Sequence, residues 1–309
     1  MSEPGKTREE GKAGMARRAT SSEDTITRAY GGQGRPAPRV LVIAGADSSG
    51  GAGVARDLET LSAFGVRACL AVTAVTAQTH REVTEISAVA PALVAEQMRT
   101  AFAADAVHAV KIGMLATSGT VAAVADALDA WPDVPVVLDP VIASSSGRLL
   151  LSEDGLATLL QRLLPRATLV TPNLPELGLL AAGLAAAPDA SRSAPKGAPA
   201  ARENAAGLQG VSAAIASPAA RLLAHGAAAL LVKGGHDEGD EAIDCLLRTG
   251  QPAQRFASAR LPVSLRGTGC MLASAIAAGL ARSEDLTDAV SQGKAYLTRR
   301  FEVAENLCV

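Results

Sequence analysis

Short apolar runs alternate with stretches of helical spacing along most of this chain, and that alternation limits what it can fold into. The first run, residues 39–45, is continuous and apolar, as expected of a strand buried on both faces. Val54, Leu58 and Leu61 then recur at helical spacing, and Gly65 follows as a stop signal. Further strands are predicted over 68–76, 107–112, 134–138, 167–170 and 227–232. Helices are predicted over 91–103, 117–130 and 154–164, the first of them opened by Pro91. Residues 242–248 and 255–261 read as paired strands near a sheet edge, and helices over 268–281 and 286–303 close the chain. Such an order implies a single α/β domain: an open, mostly parallel central sheet with helices on both faces. With 309 residues, 48% of them hydrophobic, the chain can bury one large core.

In an open parallel sheet the ligand sits beyond the carboxyl ends of the strands. Nearly every glycine-rich or polar cluster here falls at such an end. Arg266-Gly267-Thr268-Gly269-Cys270 follows an apolar run and opens a helix of small residues. Two glycines around a threonine let backbone N–H groups converge at a helix N-terminus, which suits an anion, most naturally a phosphate. Cys270 in the first turn is expected to have a lowered thiol pKa. Read by itself, it is also an ordinary small buried residue. Asn173 and Glu176, just past a strand, are oxygen donors suited to Mg²⁺ and equally read as a helix capping box. Lys233-Gly234-Gly235 offers a cation on a turn at another strand end.

Composition excludes several classes. A net charge of −2 gives no general attraction to nucleic acid, and 2% aromatics gives no base-stacking platform. The four cysteines, Cys69, Cys245, Cys270 and Cys308, are widely spaced without a C-x-x-C pair, which suits a reducing, cytoplasmic compartment and suggests neither a zinc site nor a disulfide framework. No apolar run is long enough to span a bilayer.

The motifs as a set resemble those of the hydroxymethylpyrimidine/phosphomethylpyrimidine kinases, thiamin-pathway members of the ribokinase-like superfamily. The matching stretches are AGADSSGGAG at 44–53, TAVTAQ at 73–78, VKIGML at 110–115, LDPV at 138–141, VTPNLPE at 170–176, LVKGGH at 231–236 and GTGC at 267–270. The resemblance spans about 39–303 and implies a ribokinase-like fold. It implies ATP as phosphoryl donor, Mg²⁺ as its companion and a pyrimidine alcohol, and then its monophosphate, as acceptor. Cys270 would be the catalytic base, with Gly267, Thr268 and Gly269 as the anion hole. Gly45, Ala52, Asp57, Gln78, Met114 and Val141 would bind substrate, Lys233 and Asn173 nucleotide, and Glu176 and Asp139 the metal. From the residues alone, Met114 also reads as core packing and Asp57 as a solvated helix face. The sequence departs from the common pattern at Ala46 (usually serine), Thr79-His80 (usually Asn-Thr), Ser145 (often lysine) and Arg266 (frequently histidine).

Residues 1–38 read as a disordered tail without the apolar core of a signal peptide. Residues 39–303 form the kinase domain, interrupted at about 184–216 by a low-complexity insertion rich in Ala, Pro, Ser and Gly, with helix resuming near Ser217. Residues 304–309 are a C-terminal tail. Neither nucleic acid nor membrane is an expected partner, and a homodimer is compatible with the sequence. The alternatives are a pyridoxal or pyridoxine kinase and, outside the enzymes, a catalytically silent pyrimidine-binding protein of the same fold.

Overall fold

The computed structural model describes Met1 and residues 37–144, 146–186, 208, 211–234 and 239–307. Nearly all of the expected N-terminal tail, most of the insertion, Ser145 and Gly235-His236 lie outside the described residues. The compact unit begins at Ala37.

In chain order the elements are β1 (Arg39–Asp47), α1 (Gly53–Ala63), β2 (Arg67–Gln78), β3 (Val83–Ala88), α2 (Pro91–Ala104), β4 (Ala109–Ile112), α3 (Ser118–Leu128), β5 (Val136–Leu138) and α4 (Glu153–Thr158). There follow β6 (Leu169–Val170), α5 (Leu174–Ala186), α6 (Ala213–Ala224), β7 (Ala229–Val232), β8 (Glu241–Arg248), β9 (Gln251–Ala259), α7 (Thr268–Ala281) and α8 (Leu286–Leu307). The strands form one sheet in the order β3-β2-β1-β4-β5-β6-β7-β8-β9. From β2 to β7 every neighbouring pair is parallel, while β3, β8 and β9 add antiparallel edges.

Side-chain alternation on the strands explains the three layers. Leu41 and Ile43 of β1 point to one face, where they join Val94, Met98, Val121, Leu177 and Leu222 from α2, α3, α5 and α6. Val40, Val42 and Ala44 point to the other, where Leu61, Leu272, Ile276 and Val290 from α1, α7 and α8 cover them. The chain leaves β1 for β2 on one side and returns to β4 on the other. This reversal opens a crevice between the ends of β1 and β4.

Four features differ from the sequence reading. The edge strand β3 was not expected, because only Val83 of its six residues is buried and no apolar run marks it. The helix predicted over 154–164 is α4 followed by a π-helical turn, Leu159–Leu163. Helix resumes at Ala213 rather than near Ser217, because Ile215 and Ala219 of α6 bury against the core, as Leu208 does ahead of it. The closing helix continues through 304–307 to Leu307, so those residues are not a tail.

The helix that opens at the glycine turn, α7, is packed very closely on α8. A Cβ on Gly279 would stand 2.7 Å from Ala289 Cβ and 3.0 Å from its Cα. Gly279→Val should therefore cost about 1–3 kcal/mol through overpacking, read as a lower urea midpoint at unchanged slope. An unchanged midpoint would contradict this contact.

Candidate active site

One cavity of about 820 Å³ runs across the carboxyl ends of the parallel strands, a volume suited to small ligands. At the β1/β4 crevice its wall is Gly45, Ala52, Gln78, Met114 and Val141. Gly45 lacks a side chain where one would meet Met114 Sδ at 3.0 Å, so the backbone of β1 lies against the thioether. Met114 is fixed from behind by Thr73, whose hydroxyl donates to the Met114 carbonyl at 2.5 Å. Gln78 is held at both ends. Its backbone N–H donates to Ser48 Oγ at 2.9 Å, and its Oε1 accepts from Thr76 Oγ1 at 3.3 Å. That leaves the amide NH₂ as the donor available to a ligand.

At the opposite wall, Gly267 adopts φ +71°, ψ 18° as the N-cap of α7, a left-handed conformation suited to glycine. A Cβ there would stand 2.6 Å from the Gly51 carbonyl oxygen. No side chain caps this terminus, so the first N–H groups of α7 remain available to an anion. Gly267, Thr268, Gly269 and Cys270 all line the cavity.

Beneath the cradle lies a buried ion pair. Lys111 Nζ of β4 stands 2.9 Å from Asp57 Oδ1 and 3.0 Å from Asp57 Oδ2 of α1, and Ser274 Oγ of α7 donates to Oδ1 at 2.8 Å. Asp57, Lys111 and Ser274 are fully buried. Burial works against the charge on Lys111, but the Asp57 carboxylate outweighs it and holds the ammonium above its ordinary pKa. The Cys270 thiol is pushed up to about 11 by burial, against the pull of Lys111. The expected lowering is therefore reversed: burial, with the Asp57 and Asp139 charges, outweighs the pull of Lys111.

On the third wall, Asp139 at the end of β5 accepts from Thr171 Oγ1 at 3.1 Å and from Lys233 Nζ at 2.9 Å. Lys233 also stands 3.7 Å from Glu176. Despite burial, Lys233 and Lys111 hold the Asp139 carboxyl below its ordinary pKa, whereas burial and the nearby Asp139 charge push Glu176 up against the pull of Lys233. Asn173 and Glu176 form the reciprocal capping box at the start of α5, each backbone N–H donating to the other's side chain at 2.8 Å. Gly269 faces this group, and a Cβ on it would stand 3.2 Å from Lys233 Nζ.

Of the residues given a catalytic, binding or metal role from sequence, all but Asp57 line the cavity. Asp57 is neither a ligand-facing wall nor a solvated face. It is buried behind the wall and reaches the cavity only through Lys111. Sequence reading passed over Lys111 itself, which lines the cavity, although a lysine inside an apolar strand is anomalous enough to single out. It also passed over Asp244 and Lys294, a buried pair at 2.9 Å in which Asp244 accepts the Gly234 N–H at 3.0 Å. Nothing local in the sequence marks that pair.

The phosphomethylpyrimidine kinase family model matches residues 47–198 and 207–308. A hydroxymethylpyrimidine/phosphomethylpyrimidine kinase of Rhizobium meliloti is 42% identical over 268 residues, covering 86% of this chain and 91% of that protein. The crystal structure of phosphomethylpyrimidine kinase from Clostridium difficile superposes with a TM-score of 0.66 at 28% identity, covering 85% of this chain and 99% of that one. The pyridoxal kinase of Staphylococcus aureus in complex with AMP-PCP and pyridoxal superposes at 0.67 and 25% identity, covering 84% and 86%.

Two predictions follow from the buried charges. Lys111→Met leaves the Asp57 carboxylate unpaired and should cost about 3–5 kcal/mol in urea denaturation, much of it recovered when Asp57→Leu is added. A double variant as unstable as the single would contradict the pairing. The alkylation rate of Cys270, followed by peptide mass spectrometry, should still be rising at about pH 10, where an ordinary thiol, half-ionised at about pH 8.5, has levelled. A plateau near neutral pH would show a thiolate already formed.

Proposed function

This chain belongs to the phosphomethylpyrimidine kinase family and is a phosphotransferase, and we propose that it phosphorylates 4-amino-5-hydroxymethyl-2-methylpyrimidine with ATP and then phosphorylates the monophosphate formed. The supporting observation is that, within one cavity, an amide-bearing, apolar wall faces an uncapped helix N-terminus. Gln78 recognises the aminopyrimidine edge by its amide, and Gly45, Ala52, Met114 and Val141 close on the flat ring. The hydroxymethyl oxygen then faces Cys270 and the cradle.

In the first step the γ-phosphoryl group passes to that oxygen, ADP leaves, and the alcohol proton goes to the Cys270 sulfur in its thiolate form, the thiol having first given its own proton to solvent. Phosphoryl transfer through a loose transition state rests on positioning and charge stabilisation more than on a strong base. The thiol is protonated at rest, so the acceptor is the minor thiolate form, which the Lys111 charge favours. The N–H groups of Gly267, Thr268 and Gly269 bind the transferring group, and Lys233 orients the phosphates beside them.

Among the described residues no three His, Cys, Asp or Glu side chains converge as a metal cluster. A cation here would take few protein oxygens and complete its shell with water and phosphate, which is the habit of Mg²⁺. Asp139 and Glu176 fit as those oxygens, with Asn173 fixing Glu176. When bound, Mg²⁺ would neutralise nucleotide phosphate charge. The enzyme then works in the cytoplasm, in thiamin biosynthesis or salvage.

The pyridoxal kinase reading is weaker, since the pyrimidine kinases are matched at higher identity. The silent binder is weaker too, since a binder has no need of an open phosphate cradle. Cys270→Ala should lower kcat by about 10²–10⁴-fold while the pyrimidine still binds in calorimetry. Gln78→Ala should lower kcat/KM for the pyrimidine alcohol by at least about tenfold. A Cys270→Ala enzyme with most of its kcat would make the cysteine structural, and an unaffected Gln78→Ala enzyme would remove the proposed pyrimidine contact.

A further inference from the structure

Arg266 ties together three loops that are far apart in sequence and all frame the cavity. Its Nη1 lies 3.1 Å from Ser49 Oγ, 2.9 Å from the Thr79 carbonyl oxygen and 3.3 Å from His80 Nδ1. Its Nη2 lies 3.6 Å from Asp47 Oδ2. That oxygen is buried and forms no hydrogen bond, so it depends on the guanidinium for its counter-charge. The other Asp47 oxygen is fixed by the Ser49 N–H and hydroxyl, both at 2.8 Å. Gly51 leaves the space the guanidinium fills, since a Cβ there would stand 3.1 Å from Nη1. Arg266 is bonded in sequence to Gly267, the N-cap of the phosphate cradle. His80 lies in the β2–β3 turn, two residues beyond Gln78.

We propose that Arg266 is a positioning residue, a latch that couples the pyrimidine-side turn to the phosphate cradle. The latch rests on the kinase reading for its effect on turnover, but not for its mechanical effect. Five N–H donors in a planar fork let one arginine hold three loops, which the point charge of a lysine does not reproduce. The latch holds the segment carrying Gln78 against the cradle, so its loss should weaken pyrimidine binding first and leave the nucleotide side largely intact.

The test combines kinetics with hydrogen exchange. Arg266→Ala should raise the KM for the pyrimidine alcohol by about tenfold while the KM for ATP stays within about twofold. Amide exchange over residues 79–83 should quicken by about tenfold in the ligand-free protein. Arg266→Lys should fall between wild type and alanine, and it serves as the second variant should Arg266→Ala fail to fold. His80→Ala added to Arg266→Ala should cost little more, as expected of two residues in one interaction. Equal rises in both KM values or unchanged exchange in the turn would each overturn the latch. A wild-type protein that phosphorylates no pyrimidine would defeat the kinase reading alone, because the exchange rates still decide whether the latch exists.

Discussion

The Lys111–Asp57 pair is the interaction on which the site depends. Lys111 belongs to a central strand, Asp57 to the helix after β1, and Ser274 to the helix that carries the cradle. One fully buried charge pair therefore fixes β4, α1 and α7 relative to one another under Cys270. A buried pair of this kind is no strong source of net stability, since desolvation offsets most of the attraction. What it supplies is geometry. Removing either partner leaves an uncompensated charge, so an arrangement that separates them is strongly disfavoured.

A second layer of charge is arranged over this pair. Lys233 faces Asp139 and Glu176 across the cradle, and each group perturbs the others. Buried Lys111 and partly buried Lys233 face the buried carboxylates of Asp57, Asp139 and Glu176 before any nucleotide arrives. Such preorganised charge needs little rearrangement when a polyphosphate enters, which is where electrostatic catalysis gains most. The same crowding explains the high Cys270 pKa: the thiol is enclosed, and Asp57 and Asp139 counter what Lys111 provides.

Much of this was legible in the sequence. The alternation located every parallel strand, and the helix at residues 268–281 has the bounds expected from its glycine turn. Residues that face the cavity were legible because glycine-rich and polar clusters directly follow apolar strand runs, where an open parallel sheet binds its ligand. Other features depend on partners distant along the chain. Asp57 reads as a surface residue on its helix until Lys111 is seen beside it. Asp244 and Lys294 gain meaning only through their contact across β8 and α8. The edge strand β3 is polar because one of its faces meets water, so no apolar run announces it. Low-complexity composition hid the start of α6, since Ile215 alone among small residues carries its anchor into the core.

The central claim is that the cavity matches an aminopyrimidine alcohol on one wall and a transferring phosphoryl group on the other. The most direct measurement supplies Mg·ATP with the hydroxymethylpyrimidine, its monophosphate or pyridoxal, and follows ADP release with products identified by mass spectrometry. The account predicts that both pyrimidine species are phosphorylated and that pyridoxal has the lower kcat/KM. Preference for pyridoxal, or no ADP with either pyrimidine, would contradict it.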